Sequence, residues 1–285
     1  MKFGLIGHPI EHSLSPALFK AGYDGMYPYD LIISEDFEEA YRIFLEGYDG
    51  INVTAPFKEL ALKKADIISE ECQKIGATNL LIKTAGGIMA HNSDYLGVRI
   101  WIEEISRLAS LTRNDRKATR NDREAVQNDR EAAQNDKEGH DIEEKTTVLI
   151  VGMGGAGKAA AEAARSLGCE VILMNRTQYS DEIRPLGEFK EAFKVADIVI
   201  YNLPVRLREL DRIGKEDFIE GKPKNILEAN YRNPSFDKDL IKKLEGMHPQ
   251  IRYTGGETWL LLQALTGYEI FTGQKPDLEK MAARL

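Results

Sequence analysis

Residues 147–157, with the sequence TVLIVGMGGAG, constrain the fold of this chain more than any other stretch. An aliphatic segment at 148–151 predicts a buried strand that leads into a glycine-rich turn and then an alanine-rich helix over roughly residues 155–166. Three glycines of the turn follow the G-x-G-x-x-G spacing: Gly152, Gly154 and Gly157. In that spacing the glycines allow a tight turn, a close approach of the backbone to a pyrophosphate, and close packing of helix on strand. Because a helix N-terminus also presents free N–H groups to phosphates, the pattern predicts a dinucleotide-binding unit, with a ligand-free tight turn as the alternative.

The acidic balance of the chain limits its partners. The 285 residues carry a net charge of −8, so nucleic acid and anionic membrane surfaces are not expected to bind through bulk electrostatics. No apolar run reaches about 18 residues, and the opening MKFGLIGHPIEHS turns polar too soon for a signal peptide. The two cysteines, Cys72 and Cys169, suit a reducing compartment, and the five histidines show no metal-ligand spacing. We therefore expect a cytoplasmic protein with a small-molecule substrate and no metal, either a monomer or a homodimer.

Residues 1–108 alternate between strand and helix patterns. A short buried strand is predicted at 3–7, and further strands are predicted at 30–33, 50–53 and 77–83. Ser15 and Pro16 predict a helix N-cap followed by proline at the first helical position, and a longer helix is predicted from Tyr95 to about Leu108. This alternation is typical of a layered α/β domain with a mostly parallel sheet.

A polar repeat follows this first domain. Residues 114–138 read NDRKATR, NDREAVQ, NDREAAQ and NDKE, so that each repeat has hardly any apolar side chain other than alanine. A coiled coil needs two apolar positions in every heptad, and Asn and Asp lower helix propensity. We predict that residues 109–145 form a solvated insertion, either disordered or a frayed helix.

Residues 146–254 are predicted to form a second domain around the glycine-rich turn. Further strands are predicted at 170–174, 196–201 and 225–228. The first of these closes a βαβ unit of about thirty residues, which is typical of a Rossmann-type domain. The last stretch, 255–285, is predicted to be helical.

The end of the second Rossmann strand indicates which dinucleotide binds. An NAD-binding unit places a carboxylate about twenty residues beyond the glycines, where it holds the ribose 2′-OH. This chain instead has Arg176 at that point, and a guanidinium pairs with and stacks on a phosphate. The sequence therefore predicts NADP, with a solvated surface arginine as the alternative.

Three short stretches in the first domain carry side chains suited to a small polar substrate. Ser13 and Ser15 place two hydroxyls beside a helix N-terminus, where they can donate to a carboxylate, although Ser15 is also a plain N-cap candidate. Lys58 follows a strand end and a proline, and a lysine there can give a proton to a carbonyl oxygen; a solvated lysine is the alternative. Asp94 can hold that lysine charged and oriented, or it can cap the following helix.

Read in order, these stretches resemble the shikimate dehydrogenase family. The shared motifs are Ser-x-Ser-Pro at 13–16, Asn-Val-Thr-x-Pro-x-Lys at 52–58, Gly-Ala-x-Asn at 76–79, Asn-x-Asp-x-x-Gly at 92–97, G-x-G-G-A at 152–156 and Asn-Arg-Thr at 175–177. The second of them is the most family-specific, and the resemblance covers nearly the whole chain apart from the polar insertion.

The resemblance implies roles for individual residues. Lys58 and Asp94 would be the catalytic pair. The substrate-binding set would be Ser13, Ser15, Thr54, Asn79, Tyr231 and Gln263. The cofactor-binding set would be Gly152, Gly154, Gly155, Ala156, Gly157, Asn175, Arg176 and Thr177. The match at Gln263 also implies that the C-terminal helices, residues 255–285, return to complete the first domain.

The chain departs from the family pattern in four places. After the strand at 196–201, Asn202-Leu203-Pro204 replaces the usual Asn-Thr-Thr/Ser-Pro. Glu228 replaces an aspartate, and one extra residue precedes Pro234. No second basic residue follows 175–177, and Gly-Ala-Val-Asn-Thr is here Gly-Ala-Thr-Asn-Leu.

The resemblance implies an NADP-dependent oxidoreductase that reduces 3-dehydroshikimate to shikimate on the route to chorismate and the aromatic amino acids. A paralogue acting on quinate or on an aminated shikimate is the alternative within enzymes. A non-catalytic sensor that binds shikimate-like acids is the alternative outside them, although a pure binder has no need of a proton donor such as Lys58.

Overall fold

The computed structural model describes residues 1–108 and 145–285. The polar insertion predicted at 109–145 lies outside the described residues except for its last position. No helix within the described ranges is both long and apolar enough to cross a bilayer.

The first sheet has six strands in the order β2-β1-β3-β5-β6-β4. Its strands are β1 (Phe3–Gly7), β2 (Tyr29–Ile33), β3 (Gly50–Val53), β4 (Ile67–Ile68), β5 (Leu80–Thr84) and β6 (Gly87–His91). The strands β2, β1 and β3 run parallel, whereas β5 runs antiparallel to both β3 and β6. Strand β5 begins three residues later than the predicted 77–83, and just before it the hydroxyl of Thr78 accepts from the N–H of Leu80 over 3.2 Å.

The described part of the first half contains five helices, and only some of them have a side-chain cap. They are α1 (Ser15–Gly22), α2 (Phe37–Gly47), α3 (Lys58–Leu62), α4 (Glu70–Ile75) and α5 (residues 93–108). The prediction of Ser15 as an N-cap was wrong, since Leu14 occupies that position without a side-chain cap and Ser15 is already helical. Helix α2 is capped by Asp36, whose carboxylate accepts from the N–H of Glu38.

The second sheet is parallel throughout and has the order β12-β11-β10-β7-β8-β9. Its strands are β7 (Thr147–Val151), β8 (Glu170–Asn175), β9 (Ile183–Pro185), β10 (Ile198–Tyr201), β11 (Lys224–Glu228) and β12 (Ile251–Thr254). Read from β9 this is the doubly wound order of a Rossmann domain, in which ligands bind where the strand order reverses, at the carboxyl ends of β7 and β10. The predicted fold class is confirmed.

The helices of the second half are α6 (Gly155–Ser166), α7 (Phe189–Val195), α8 (Arg208–Asp211), α9 (Lys238–Met247), α10 (Gly256–Thr272) and α11 (Leu278–Ala282). Helix α6 follows the glycine-rich turn as predicted, and its buried face consists of alanines. These small side chains let α6 pack in one continuous core with α5 of the first half, where Trp101 and Ile102 are buried, and with Trp259 of α10.

The C-terminal helices return to the first sheet, as the resemblance implied. Phe271 of α10 stacks on Phe3 of β1 with ring centroids 4.9 Å apart. The hydroxyl of Tyr23, at the end of α1, donates to the carbonyl of Tyr268 over 2.9 Å. Met281 of α11 is fully buried in the same cluster. The chain therefore crosses to the Rossmann sheet and back, which places the β7–β10 crevice against the first half.

Candidate active site

The Lys58 ammonium and the Asp94 carboxylate form an ion pair that lines a cleft. The distance from Lys58 Nζ to Asp94 Oδ2 is 2.5 Å, and their side chains are 16% and 9% exposed. Lys58 is the first residue of α3, directly after the turn that follows β3, and Asp94 lies in the first turn of α5. Lys58 is therefore an enclosed, paired group, and the interpretation of it as a solvated lysine was wrong.

Asp94 is free to pair with Lys58 because a neighbouring residue caps helix α5. The Oδ1 atom of Asn92 accepts from the N–H of Tyr95 over 3.0 Å, which is the bond of an N-cap. The alternative role of Asp94 as the cap was wrong. Its backbone carbonyl is held instead by the indole of Trp259 over 3.0 Å, which fixes Asp94 against helix α10.

Ser13 and Ser15 present adjacent hydroxyls at the start of α1. Their Oγ atoms are 3.1 Å apart, and Ser13 Oγ also accepts from the N–H of Ser15 over 3.2 Å. The Ser15 carbonyl accepts from Tyr268 Oη of helix α10 over 3.1 Å. The returning C-terminal helix therefore fixes the position of the serine pair.

Asn79 connects the first sheet to helix α10. Its Oδ1 accepts from the N–H of Ser93 over 2.7 Å, and its Nδ2 donates to Ser93 Oγ and to Gln263 Oε1 over 3.0 and 3.3 Å. Asn79 is only 4% exposed. This network sets the orientation of Gln263 at the wall of the cleft.

A single cleft of about 220 Å³ brings the predicted catalytic and substrate-binding residues together. Its lining includes all eight of them: Ser13, Ser15, Thr54, Lys58, Asn79, Asp94, Tyr231 and Gln263. Within the described ranges no group of three or more His, Cys, Asp and Glu side chains could hold a metal ion. The cleft is thus polar, encloses one ion pair, and joins hydroxyl and amide donors from both halves.

Two tyrosines contribute to this site and were not found from the sequence. Tyr268 lines the cleft and holds Ser15, while Tyr29 donates its hydroxyl to Asn52 Oδ1 over 2.8 Å. Burial raises the pKa of both phenols, so they remain neutral donors. Neither tyrosine belongs to one of the sequence motifs. From the sequence alone, each would be predicted only to be part of an apolar helix or strand.

The glycine-rich turn has the geometry of a phosphate cradle. Gly152 has a φ of +94°, and a Cβ on Gly157 would lie 1.9 Å from the Gly152 carbonyl oxygen, so both positions require glycine. A Cβ on Gly154 would meet open space, which leaves that backbone accessible to a ligand. Near Gly157, the buried Oδ1 atom of Asn202 has no hydrogen-bond partner among the residues that the structure describes. The turn, with the first N–H groups of α6, fits the pyrophosphate and adjoining parts of a dinucleotide.

The turn also lies against the catalytic pair. A Cβ on Gly155 would lie 3.1 Å from Lys58 Cδ, and Lys158 of α6 forms a 2.8 Å ion pair with Glu59 of α3. A dinucleotide held at this turn would therefore extend towards Lys58 and Asp94.

At the end of β8, one side chain supports the glycine-rich turn and the next two are exposed. Asn175 Oδ1 accepts from the N–H of Met153 over 3.2 Å, so this residue holds the glycine-rich turn in place. Arg176 and Thr177 are exposed, and the Arg176 guanidinium has no ion pair within the described part of the chain. Tyr179 is 56% exposed, and its hydroxyl donates to the Met153 carbonyl over 3.3 Å, which adds an aromatic ring beside the turn that sequence reasoning missed.

Glu228 braces the loop that carries Tyr231 into the cleft. Its carboxylate is fully buried and accepts from the N–H groups of Ser235 and Phe236 and, over 2.9 Å, from the hydroxyl of Tyr253. The two departures seen in the sequence at this loop are consistent with each other. A glutamate reaches one methylene further than the usual aspartate, and the loop it must span is one residue longer.

We expect Glu228→Gln to lower the free energy of unfolding by about 1–3 kcal/mol, because a glutamine amide cannot accept from all three donors and leaves buried N–H groups unsatisfied. Urea denaturation measures this loss. The matched control is Glu220→Gln, at an exposed position without an ion pair among the described residues, which should leave stability unchanged. Equal stability of the two variants would show that Glu228 does not hold the loop.

Two models of protein families match this chain, one in each half. The model of the shikimate dehydrogenase substrate binding domain matches residues 5–81. The model of the D-isomer specific 2-hydroxyacid dehydrogenase NAD binding domain matches residues 108–246. The shikimate dehydrogenase (NADP(+)) of Natronomonas pharaonis is 29% identical over 299 residues, which cover 98% of this chain and 96% of that protein.

Solved structures show the same fold. The shikimate 5-dehydrogenase of Thermus thermophilus, in complex with NADP(H) and shikimate, is 24% identical with a TM-score of 0.71, covering 100% of this chain and 98% of that one. The quinate dehydrogenase of Corynebacterium glutamicum, in complex with NAD, is 20% identical with a TM-score of 0.72, covering 100% and 98%. Because relatives with different substrates and cofactors share this backbone, the side chains of the cleft must decide between them.

Proposed function

This chain belongs to the shikimate dehydrogenase family, and on that premise we propose that it reduces 3-dehydroshikimate to shikimate with NADPH. The observation that carries the proposal is the enclosed Lys58–Asp94 pair beside the glycine-rich turn. A proton donor in a polar cleft, with a dinucleotide cradle beside it, is what the reduction of a ketone requires.

The protein's own residues supply the proton and the orientation. Bound NADPH would provide the hydride. Lys58 would donate a proton to the carbonyl oxygen, and its charge would stabilise the developing alkoxide. Asp94 would hold Lys58 in place through their ion pair, and would accept a hydrogen bond from a ring hydroxyl of the substrate.

The remaining polar groups of the cleft would fix the substrate ring. Ser13 and Ser15 would donate to its carboxylate, helped by the N-terminus of α1. Thr54, Asn79 and Gln263 would bind its hydroxyls, and Tyr231 would reach it from the Rossmann side. These assignments follow from the shared cleft and from the family motifs that the positions match.

The cofactor would be held mainly by backbone. Gly152, Gly154, Gly155, Ala156 and Gly157 would form the cradle, and Asn175 would act through the turn that it braces. Arg176, followed by Thr177, stands where the 2′ group of the adenosine ribose is expected. An exposed guanidinium at that place supports NADP over NAD.

We expect Arg176→Ala to weaken NADPH binding by about ten- to a hundredfold and NADH binding by far less, because only NADPH carries the 2′-phosphate. Titration of the two cofactors with the purified protein measures both dissociation constants. Arg252→Ala, an exposed arginine on the far edge strand, is the charge-matched control. Equal losses for NADPH and NADH would remove Arg176 from 2′-phosphate recognition.

A direct comparison of kinetic constants distinguishes shikimate from quinate as the substrate. In the oxidative direction, kcat/KM is measured with shikimate and with quinate, each with NADP and NAD. We expect shikimate with NADP to be preferred. A preference for quinate would instead assign the chain to a quinate-oxidising branch with the same Lys58–Asp94 chemistry.

A further inference from the structure

The loop between β11 and α9 has an ordered tip, formed by Tyr231 and Arg232, that lines the cleft. Asn230 closes it as a tight turn, since its Oδ1 accepts from the N–H groups of Arg232 and Asn233 over 3.2 Å each. Its Nδ2 donates back to the Asn233 carbonyl over 2.8 Å. The backbone of Arg232 is thereby fixed at the tip, one residue after Tyr231.

The base of the loop is held from two sides. Glu228 binds its far end, as described above, and helix α10 abuts its near end. A Cβ on Gly256 would lie 2.5 Å from the Ala229 carbonyl oxygen and 2.8 Å from the Tyr231 nitrogen. Because α10 also carries Gln263 into the cleft, the loop and the substrate-binding wall share one rigid support.

Arg232 supplies a positive charge that the rest of the cleft does not neutralise. Its side chain lines the cleft, and it has no ion pair with any residue in 1–108 or 145–285. The other cationic side chain at the wall, Lys58, is already paired with Asp94 at 2.5 Å. An anionic group entering the cleft therefore meets one arginine that no carboxylate of the described residues neutralises.

We propose that Arg232 binds the carboxylate of the substrate from the Rossmann side, opposite the Ser13 and Ser15 hydroxyls. This inference rests on the proposed function, and it assigns the selection of anionic ring acids over their neutral analogues to a residue of the extended loop. One guanidinium gives a carboxylate two parallel, charge-assisted hydrogen bonds, whereas a serine hydroxyl gives only one hydrogen bond and carries no charge. The extra residue before Pro234 lengthens the turn that carries Arg232, and this proposal gives that insertion a functional explanation.

The test compares Arg232→Gln and Arg232→Lys with the parent protein and with Arg208→Gln, an exposed arginine outside the cleft. For Arg232→Gln we expect KM for 3-dehydroshikimate to rise roughly ten- to a hundredfold with kcat within a few-fold. Arg232→Lys should recover part of the loss, since it keeps the charge but not the fork. Arg208→Gln should behave like the parent.

Calorimetric titration with shikimate and with its methyl ester distinguishes carboxylate binding from a purely structural role of Arg232. A structural role would not change the ratio of the two affinities. The parent should bind the acid more tightly than the neutral ester, and Arg232→Gln should lose that discrimination while its affinity for the ester is unchanged. Equal weakening of acid and ester, or an unchanged KM, would overturn the role of Arg232. A parent protein that binds the acid without turning over 3-dehydroshikimate would contradict the proposed function and leave the Arg232 comparison intact.

Discussion

Replacing Lys58 by alanine should lower kcat by roughly a hundredfold to ten thousandfold, with KM for 3-dehydroshikimate within a few-fold of the parent value. The ammonium acts on charge that develops at the carbonyl oxygen as hydride arrives, so its loss affects the transition state more than the bound substrate. Steady-state kinetics at saturating NADPH measures both constants.

The matched control for this change is Lys63→Ala, which removes an exposed lysine at the end of the same helix. Its kcat should equal that of the parent. If Lys58→Ala kept a normal kcat, Lys58 would have no part in the chemistry, and the cleft would need another proton donor.

Asp94→Asn should reduce kcat by at least about a hundredfold, because the amide keeps the shape of the carboxylate but not the charge that orients Lys58. The two residues act as a unit, so the double variant Lys58→Ala/Asp94→Asn should be no less active than the worse single variant. Its stability should exceed that of Lys58→Ala, which leaves the enclosed Asp94 carboxylate without a partner.

Asp181→Asn serves as the control, since Asp181 is exposed and has no ion pair among the described residues. Kinetics and thermal melting of the parent, Lys58→Ala, Asp94→Asn and the double variant give a complete double-mutant cycle. Additive losses in kcat would mean that Lys58 and Asp94 work independently and that the ion pair seen at 2.5 Å has no catalytic meaning.

The elements that the sequence predicts well are those with strong local patterns. The strands at 3–7 and 50–53 and the turn and helix at 152–166 have the predicted bounds, because uninterrupted apolar runs and obligatory glycines leave few alternatives. Helices α3 and α4 have only five and six residues, too few to show a helical period. The antiparallel pairing of β5 with β3 depends on tertiary contacts, and the apolar pattern of the sequence does not predict it.

Candidate site residues could be found where a motif keeps several polar groups at a fixed spacing. That holds for Lys58 and Asp94. Their alternative roles are excluded only by the structure, in which Asn92 caps α5 and Lys58 is enclosed and paired with Asp94. Arg232 and Tyr268 reach the cleft through a loop closure and a returning helix, so their position depends on contacts between residues far apart in the sequence. Domain boundaries and individual residue roles stay predictions.

The most direct test of the proposed activity is the rate of NADPH oxidation by the purified full-length protein in the presence of 3-dehydroshikimate, with the product identified by chromatography. We expect turnover that requires both compounds, yields shikimate, and is faster with NADPH than with NADH. Tight binding of shikimate with no oxidation of either cofactor would contradict the account and identify the protein as a binder of ring acids rather than a dehydrogenase.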